Sequence, residues 1–341
     1  MKQYHEITLL HVIACAMILL CHFFQDAKIG SLGEFFLSGL SLFFVISGFL
    51  TGLKPITDGK WVRNRFKRIL IPYYVVLSVF LLTLFFFTDE FRGVDALHLI
   101  TATQGINYIY WPYDGYHTFS GLGHLWYVTL ILLFFALTPF LNKVYDKLHF
   151  NINQWYITFA VLIVILQPLL IYIGIQSSYI ISFLIGYLYS KVQYRVTIKK
   201  WLVFAGITIG VAAVRIICRN LIDGSLFYDR YLALLSQGCI GFLIFVTIFL
   251  IGSFAQDHLK KLATGRIIVL LASVIYEIYL LHYFFLKGPW AIKNYVGSLV
   301  VADIIVAVLS VTVGLILSGT NKKITAWFDT DKSETSKIAN R

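Results

Sequence analysis

Apolar runs of membrane length recur along this chain and restrict its fold more than any other feature. A helix needs about 20 apolar residues to cross a hydrocarbon core of about 30 Å. Runs of that kind are read at 7–24, 35–53, 69–88, 123–141, 155–174, 176–190, 200–217, 231–252, 266–286 and 296–318. Inside hydrocarbon every backbone N–H and C=O must find its partner within the protein, so such runs become helices. The expected fold is all-α, a polytopic integral membrane helical bundle of about ten transmembrane helices. Composition agrees: 59% of residues are hydrophobic and 13% charged, against roughly 45–50% and about 25% in soluble domains. The sixth run is short and the break before it tight, so nine or eleven spans also fit.

Lysine and arginine set the orientation. With the N-terminus inside, 21 of the 28 cations fall on inner segments. Seven remain outside: Lys28, Arg92, Arg215, Arg219, Arg230, Lys287 and Lys293. Both termini are therefore expected in the cytoplasm, with 1–320 as one transmembrane domain. Residues 321–341 read as a polar cytoplasmic tail, poorly ordered beyond Trp327. The net charge of +11 then belongs to inner loops rather than to a nucleic-acid surface. No cleavable signal peptide is expected, because the first run lacks a small-residue cleavage site and other runs follow it. Cys15, Cys21, Cys218 and Cys239 show no pairing or metal-ligand spacing and read as packing residues. Trp61, Trp126, Trp155, Trp201, Trp290 and Trp327 sit near expected span ends, where tryptophan anchors at the interface.

Chemistry-bearing residues concentrate in a few places. Lys54, Lys60, Arg63, Arg65, Lys67 and Arg68 lie between two apolar runs. A patch so dense suits a polyanion at the inner membrane surface, although topology anchoring accounts for the charge equally well. In the first run His11 and His22 are eleven residues apart, about 16 Å along one face of a helix. An ionisable group inside a span usually faces a cavity or the bundle interior; an interfacial position is the plainer reading of His22. His124 and His282 fall at a similar depth on separate helices, and each alone would also fit an aromatic belt. Glu277 and Asp303 lie well inside spans, where a functional role and a structural pairing are equally good readings. Glu277 and His282 are five residues apart, about 140° around a helix, and should not share a face. Ser273, Tyr276 and Tyr279 fall on one stripe. The outer segment 89–122 carries Asp89, Glu90, Asp95, His98, Asp114, His117, Tyr108, Tyr110, Trp111, Tyr113 and Tyr116. That mixture suits sugar contact, or a loop that covers the bundle.

Several of these stretches carry a resemblance. GLSLFFVISGF (39–49), followed by Arg65-x-x-Arg68 and I-L-I-P-Y, resembles the second-helix signature of the acyltransferase 3 family. Where the family usually has aspartate in this run, the chain has Ser41. L-L-H-V-I-A-C-A-M-I-L-L-C-H-F resembles the family's first-helix pattern, a basic residue followed after ten residues by a histidine held to be catalytic. That histidine maps to His22, and His11 stands at the basic position. G-H-L-W-Y (123–127) followed by T-P, and Y-E-I-Y-L-L-H (276–282), resemble two further family stretches.

The resemblance implies a membrane enzyme of the bacterial cell (plasma) membrane that moves an acyl group, usually acetyl, from a coenzyme A thioester to a sugar. Arg65, Arg68, Arg63 and His11 would hold the anionic end of cytoplasmic acetyl-CoA, the acyl donor. Its arm would run between helices toward His22, which acts as general base on a hydroxyl or carries the acetyl group itself. His124, Trp126, Glu277 and His282 would contact the acceptor, a glycan or lipid-linked sugar. A chain without a fused soluble domain resembles the enzymes that decorate capsule, lipopolysaccharide side chain or other cell-surface glycans. A transporter or flippase of lipid-linked sugars is the competing class. Against it, no Gly/Pro-broken helices recur at matching positions in two halves. A sensing or assembly protein that keeps the fold without the chemistry is the third.

Overall fold

The computed structural model describes residues 4–53, 59–87, 93–106, 121–148, 151, 154, 157–158, 161–172, 178–192, 196–222 and 231–338. Its helices are α1 (His5–Asp26), α2 (Gly30–Phe36), α3 (Ser38–Gly52), α4 (Gly59–Phe87), α5 (Gly93–Ile100) and α6 (Trp126–Leu148). They continue with α7 (Gln167–Tyr172), α8 (Ser178–Val192), α9 (Ile198–Ile222), α10 (Ala233–Phe254) and α11 (Gln256–Ala263). The last are α12 (Arg266–Ala272), α13 (Ile275–Lys287) and α14 (Leu299–Ile338). Among the described residues there is no strand.

Among the described residues, seven helical segments are long and apolar enough to cross a membrane: His5–Asp26, Gly30–Gly52, Gly59–Phe87, Gly123–Leu148, Ile198–Arg219, Ala233–Phe254 and Leu299–Ile324. An eighth forms if Arg266–Ala272 and Ile275–Asn294 are taken together across their break. Of the ten expected spans, the sixth is the shorter apolar helix Tyr179–Val192, and 155–174 falls partly outside the described residues. The surface fits a lipid solvent. Leu202, Val203, Ile209 and Ile216 on α9 are each more than half exposed, as are Phe85, Phe86 and Phe87 on α4 and Ile304, Val308 and Ile316 on α14. Apolar side chains on this scale face hydrocarbon rather than water. The protein is a multi-pass, all-α membrane protein.

The helices form two compact units. The first holds α1–α3, the later part of α6 and α7–α12. Its centre is α3, buried on nearly every face, as a helix apolar all round should be. Leu10 and Ala14 of α1, Leu42, Val45 and Ile46 of α3, and Phe245 of α10 are fully buried there. Glycine sets the closest approach. A Cβ on Gly48 would run into the backbone of Phe183 on α8, and one on Gly186 into that of Val45. Without a hydrophobic force between helices in lipid, such close backbone packing supplies the attraction. Arg215, inside α9, donates to Glu34 Oε2 at 2.7 Å and to Ser236 Oγ at 2.9 Å. The charge is thereby paired within the unit.

The second unit holds α4, α5, the first part of α6, α13 and α14. Leu84, Leu99, Leu122, Val128 and Leu280 are fully buried in it, and Phe80 of α4 stacks on Phe284 of α13 with ring centroids 3.9 Å apart. Helix α5 lies inside the segment read as the 89–122 outer loop. Its end is tied to α4, where Tyr73 Oη donates to Leu99 O at 2.5 Å and Tyr74 Oη to Ile100 O at 2.8 Å. Residues 88–92 and 107–120, which carry most of the expected sugar-contacting side chains, lie outside the described residues, as does Trp155. Helix α14 continues to Ile338 through the stretch expected to be a poorly ordered tail.

Candidate active site

Two histidines meet in the second unit. Gly121 takes a left-handed turn, φ +80°, a conformation that glycine adopts without steric cost. The 3-10 turn Gly123–Leu125 that follows carries His124 into the core, 5% exposed. His282 on α13 is 1% exposed, and the two ring centroids stand 5.1 Å apart. Tyr279 and Tyr283 pack on His124 at 5.1 and 5.0 Å, and Tyr279 Oη donates to His124 O. Tyr127 extends the wall, 5.3 Å from Tyr279. Gln104 Nε2 donates to Leu125 O at 2.8 Å and to Tyr73 Oη at 3.2 Å.

The tautomer of His282 follows from its partners. Nδ1 lies 2.8 Å from Tyr279 O and 3.1 Å from Ile278 O. Carbonyl oxygens only accept, so Nδ1 carries the proton and Nε2 is the accepting nitrogen. An accepting imidazole nitrogen in an apolar, aromatic-walled core can take a hydrogen bond from a hydroxyl.

Glu277 lies elsewhere on α13. It is 7% exposed, its Oε1 accepts from Asn321 Nδ2 of α14 at 3.1 Å, and a Cβ on Gly314 would stand 3.3 Å from its own Cβ. Glu277 and His282 thus face different neighbours, as the five-residue spacing requires. Trp126 opens α6 two residues after His124 and is half-buried.

The basic residues are not confined to a loop. Helix α4 starts at Gly59, so Arg63, Arg65 and Arg68 ride on its first turns. Its 29 residues make it about 43 Å long, longer than the hydrocarbon core. Arg65 is half-buried, with its guanidinium 5.2 Å from the Trp61 ring and 5.6 Å from Phe135, an arrangement that holds the cation on aromatic faces. Arg63 and Arg68 are exposed.

In the first unit, α1 carries both of its candidate histidines as the sequence requires. His11 is half-buried, its ring 6.1 Å from Phe43 on α3. His22, also half-buried, lies one turn from the C-terminal end of α1, with Nδ1 3.0 Å from Gln25 Oε1.

A family model for an acyltransferase domain matches residues 4–319, nearly the whole chain and all of these side chains except Asn321. The chain belongs to the acyltransferase 3 family. It is an acyltransferase. No curated protein and no solved structure matched it.

Within this acyltransferase, the sequence-derived residues fall into separate groups. His124 and His282 are brought together, Glu277 is turned to Asn321, Arg65 is laid on Trp61 and Phe135, and His11 is set against Phe43. Tyr127, Tyr283, Gln104 and Gln25 are additions from the structure. Tyr279, His282 and Tyr283 follow i, i+3, i+4 spacing, and Tyr127 and Gln25 each stand three residues beyond a candidate histidine. Helical spacing was therefore the available signal for Tyr127, Tyr283 and Gln25, whereas Gln104 meets Tyr73 and Leu125 only through the fold.

Proposed function

We propose that this acyltransferase transfers an acetyl group from cytoplasmic acetyl-CoA to a hydroxyl of a cell-surface glycan. His22 takes the proton of the attacking hydroxyl, whose oxygen bonds to the thioester carbonyl carbon. As the C–S bond breaks, His22 returns that proton to sulfur, so that the products are the acetyl ester and the free thiol of coenzyme A. Arg65 and Arg68 bind donor phosphates, with Arg63 and His11 as further contacts on the donor side. His124 and His282 hold the acceptor, with Trp126 as a stacking surface and Glu277 as a carboxylate for sugar hydroxyls. The observation that carries the acceptor assignment is the His124–His282 pair, with Nε2 of His282 held as an acceptor.

The decisive experiment is nuclear magnetic resonance of surface glycan from cells lacking the gene and complemented in turn with wild type and His22→Ala. Acetyl signals should vanish on deletion and return with wild type alone, at equal protein levels in the membrane. Retained acetylation with His22→Ala would remove His22 from catalysis. Loss of the surface glycan itself on deletion, with the acetyl content per sugar of any remaining glycan unchanged, would move the protein to the carrier class. Arg65→Ala and Arg68→Ala should each raise the KM for acetyl-CoA about tenfold, the loss of one charge-assisted hydrogen bond, as measured by transfer of labelled acetyl to glycan in membrane vesicles.

A further inference from the structure

The geometry points to Gln25 as a positioning residue for His22, held in place by a turn-back of the chain at the end of α1. This rests on the catalytic assignment of His22 made above. Gln25 follows His22 by three residues, one helical turn, so both side chains lie on one face. Its Oε1 is 3.0 Å from His22 Nδ1. An amide oxygen only accepts, so Nδ1 carries the proton and Nε2 is left as the proton-accepting nitrogen. A general base needs that tautomer and a fixed ring plane.

Why Gln25 stays on His22 is visible in the next element. Lys28 adopts φ +60°, a left-handed conformation uncommon outside glycine, and there the chain reverses so that α2 returns along α1. Phe24 and Phe36 stack with centroids 5.4 Å apart and fix the return. This places buried Gly33 under the Gln25 side chain. A Cβ on Gly33 would stand 3.0 Å from Gln25 Cγ, 3.4 Å from Cys21 O and 3.5 Å from Gln25 N. The glycine leaves room for the Gln25 stem to lie across α2, and a Cβ there makes the stem give by a few tenths of an ångström. Turn, glycine and amide together orient one imidazole.

The test uses the full-length enzyme in inverted membrane vesicles from a strain making its own glycan, with labelled acetyl-CoA as the probe. Gln25→Leu should lower kcat about tenfold, the worth of one hydrogen bond, with the KM for acetyl-CoA within about twofold of wild type. Gln25→Glu keeps an acceptor on Nδ1 and should restore most of the rate. It should also move the acid limb of the kcat profile to higher pH, because a carboxylate beside Nδ1–H favours the imidazolium. Gly33→Ala should show the Gln25→Leu signature in weaker form. Wild-type rates in Gln25→Leu, or an unshifted profile in Gln25→Glu beside an inactive His22→Ala, overturn the positioning role alone. Activity in His22→Ala overturns the catalytic assignment and the positioning role with it.

Discussion

His124 and His282 show how single side chains make a polar site tolerable in an apolar core. Each ring is packed on tyrosines, and the His124 carbonyl takes the Tyr279 hydroxyl. Tyr279→Phe removes one of the donors to that carbonyl, which also accepts from the Trp126 N–H, at a cost of about 0.5–1.5 kcal/mol. It should lower the thermal midpoint in detergent, read by tryptophan fluorescence, without changing membrane insertion. The Glu34–Arg215 pair gives a second residue-scale expectation. Glu34→Ala strands a guanidinium that is 10% exposed, at a cost of about 1–3 kcal/mol once the exposure of Glu34 is allowed for. Glu34→Ala with Arg215→Met should recover part of that midpoint, since removing both charges leaves neither unpaired. His124, His282, Tyr279 and Glu277 were each visible in the sequence as polar or aromatic groups inside apolar runs. Asn321 as the partner of Glu277, and Glu34 as that of Arg215, were not: they lie 44 and 181 residues away along the chain. No periodicity connects residues so far apart.

Helices add their own constraints. The sequence places the third span at 69–88, where the apolar run begins, yet α4 is helical from Gly59 and passes through Pro72. A hydropathy reading ends where charge begins, but backbone hydrogen bonding continues into the basic turns because those residues are good helix formers. Arg63, Arg65 and Arg68 are consequently carried on a rigid element rather than a loop. Between α3 and α8 the decisive residues are glycines. Gly186→Leu must force two backbones apart, beyond the ~1–3 kcal/mol typical of overpacking, and should abolish a monodisperse peak on size exclusion. Gly206→Leu on α9, where a Cβ meets nothing within 4 Å, should leave the peak unchanged. Both glycines sit in apolar helical runs, and only the packing tells them apart.

At the scale of the whole molecule, the expected environment is a bilayer and the expected orientation follows the lysines and arginines. Reporter fusions at the C-terminus should report the cytoplasm; an outside signal would overturn the orientation. Ile209→Arg, on the exposed face of α9, should impair insertion by roughly the 2.5–3.5 kcal/mol of a charge at a helix centre, seen as a loss of membrane-fraction protein. What the sequence by itself determined is the class of structure and the family. Both rest on local signals: apolar runs whose transfer from water favours a lipid-embedded helix, and short motifs such as L-L-H-V-I-A-C-A-M-I-L-L-C-H-F and Arg65-x-x-Arg68. The tertiary structure decided which polar groups meet. It joined His124 to His282, turned Glu277 to Asn321, laid Arg65 on Trp61 and Phe135, and brought Gly33 beneath Gln25. The reason is physical: burial of a run depends on its own residues, whereas a contact depends on how separate helices pack, and glycine clearance and turn geometry set that packing only once the chain has folded.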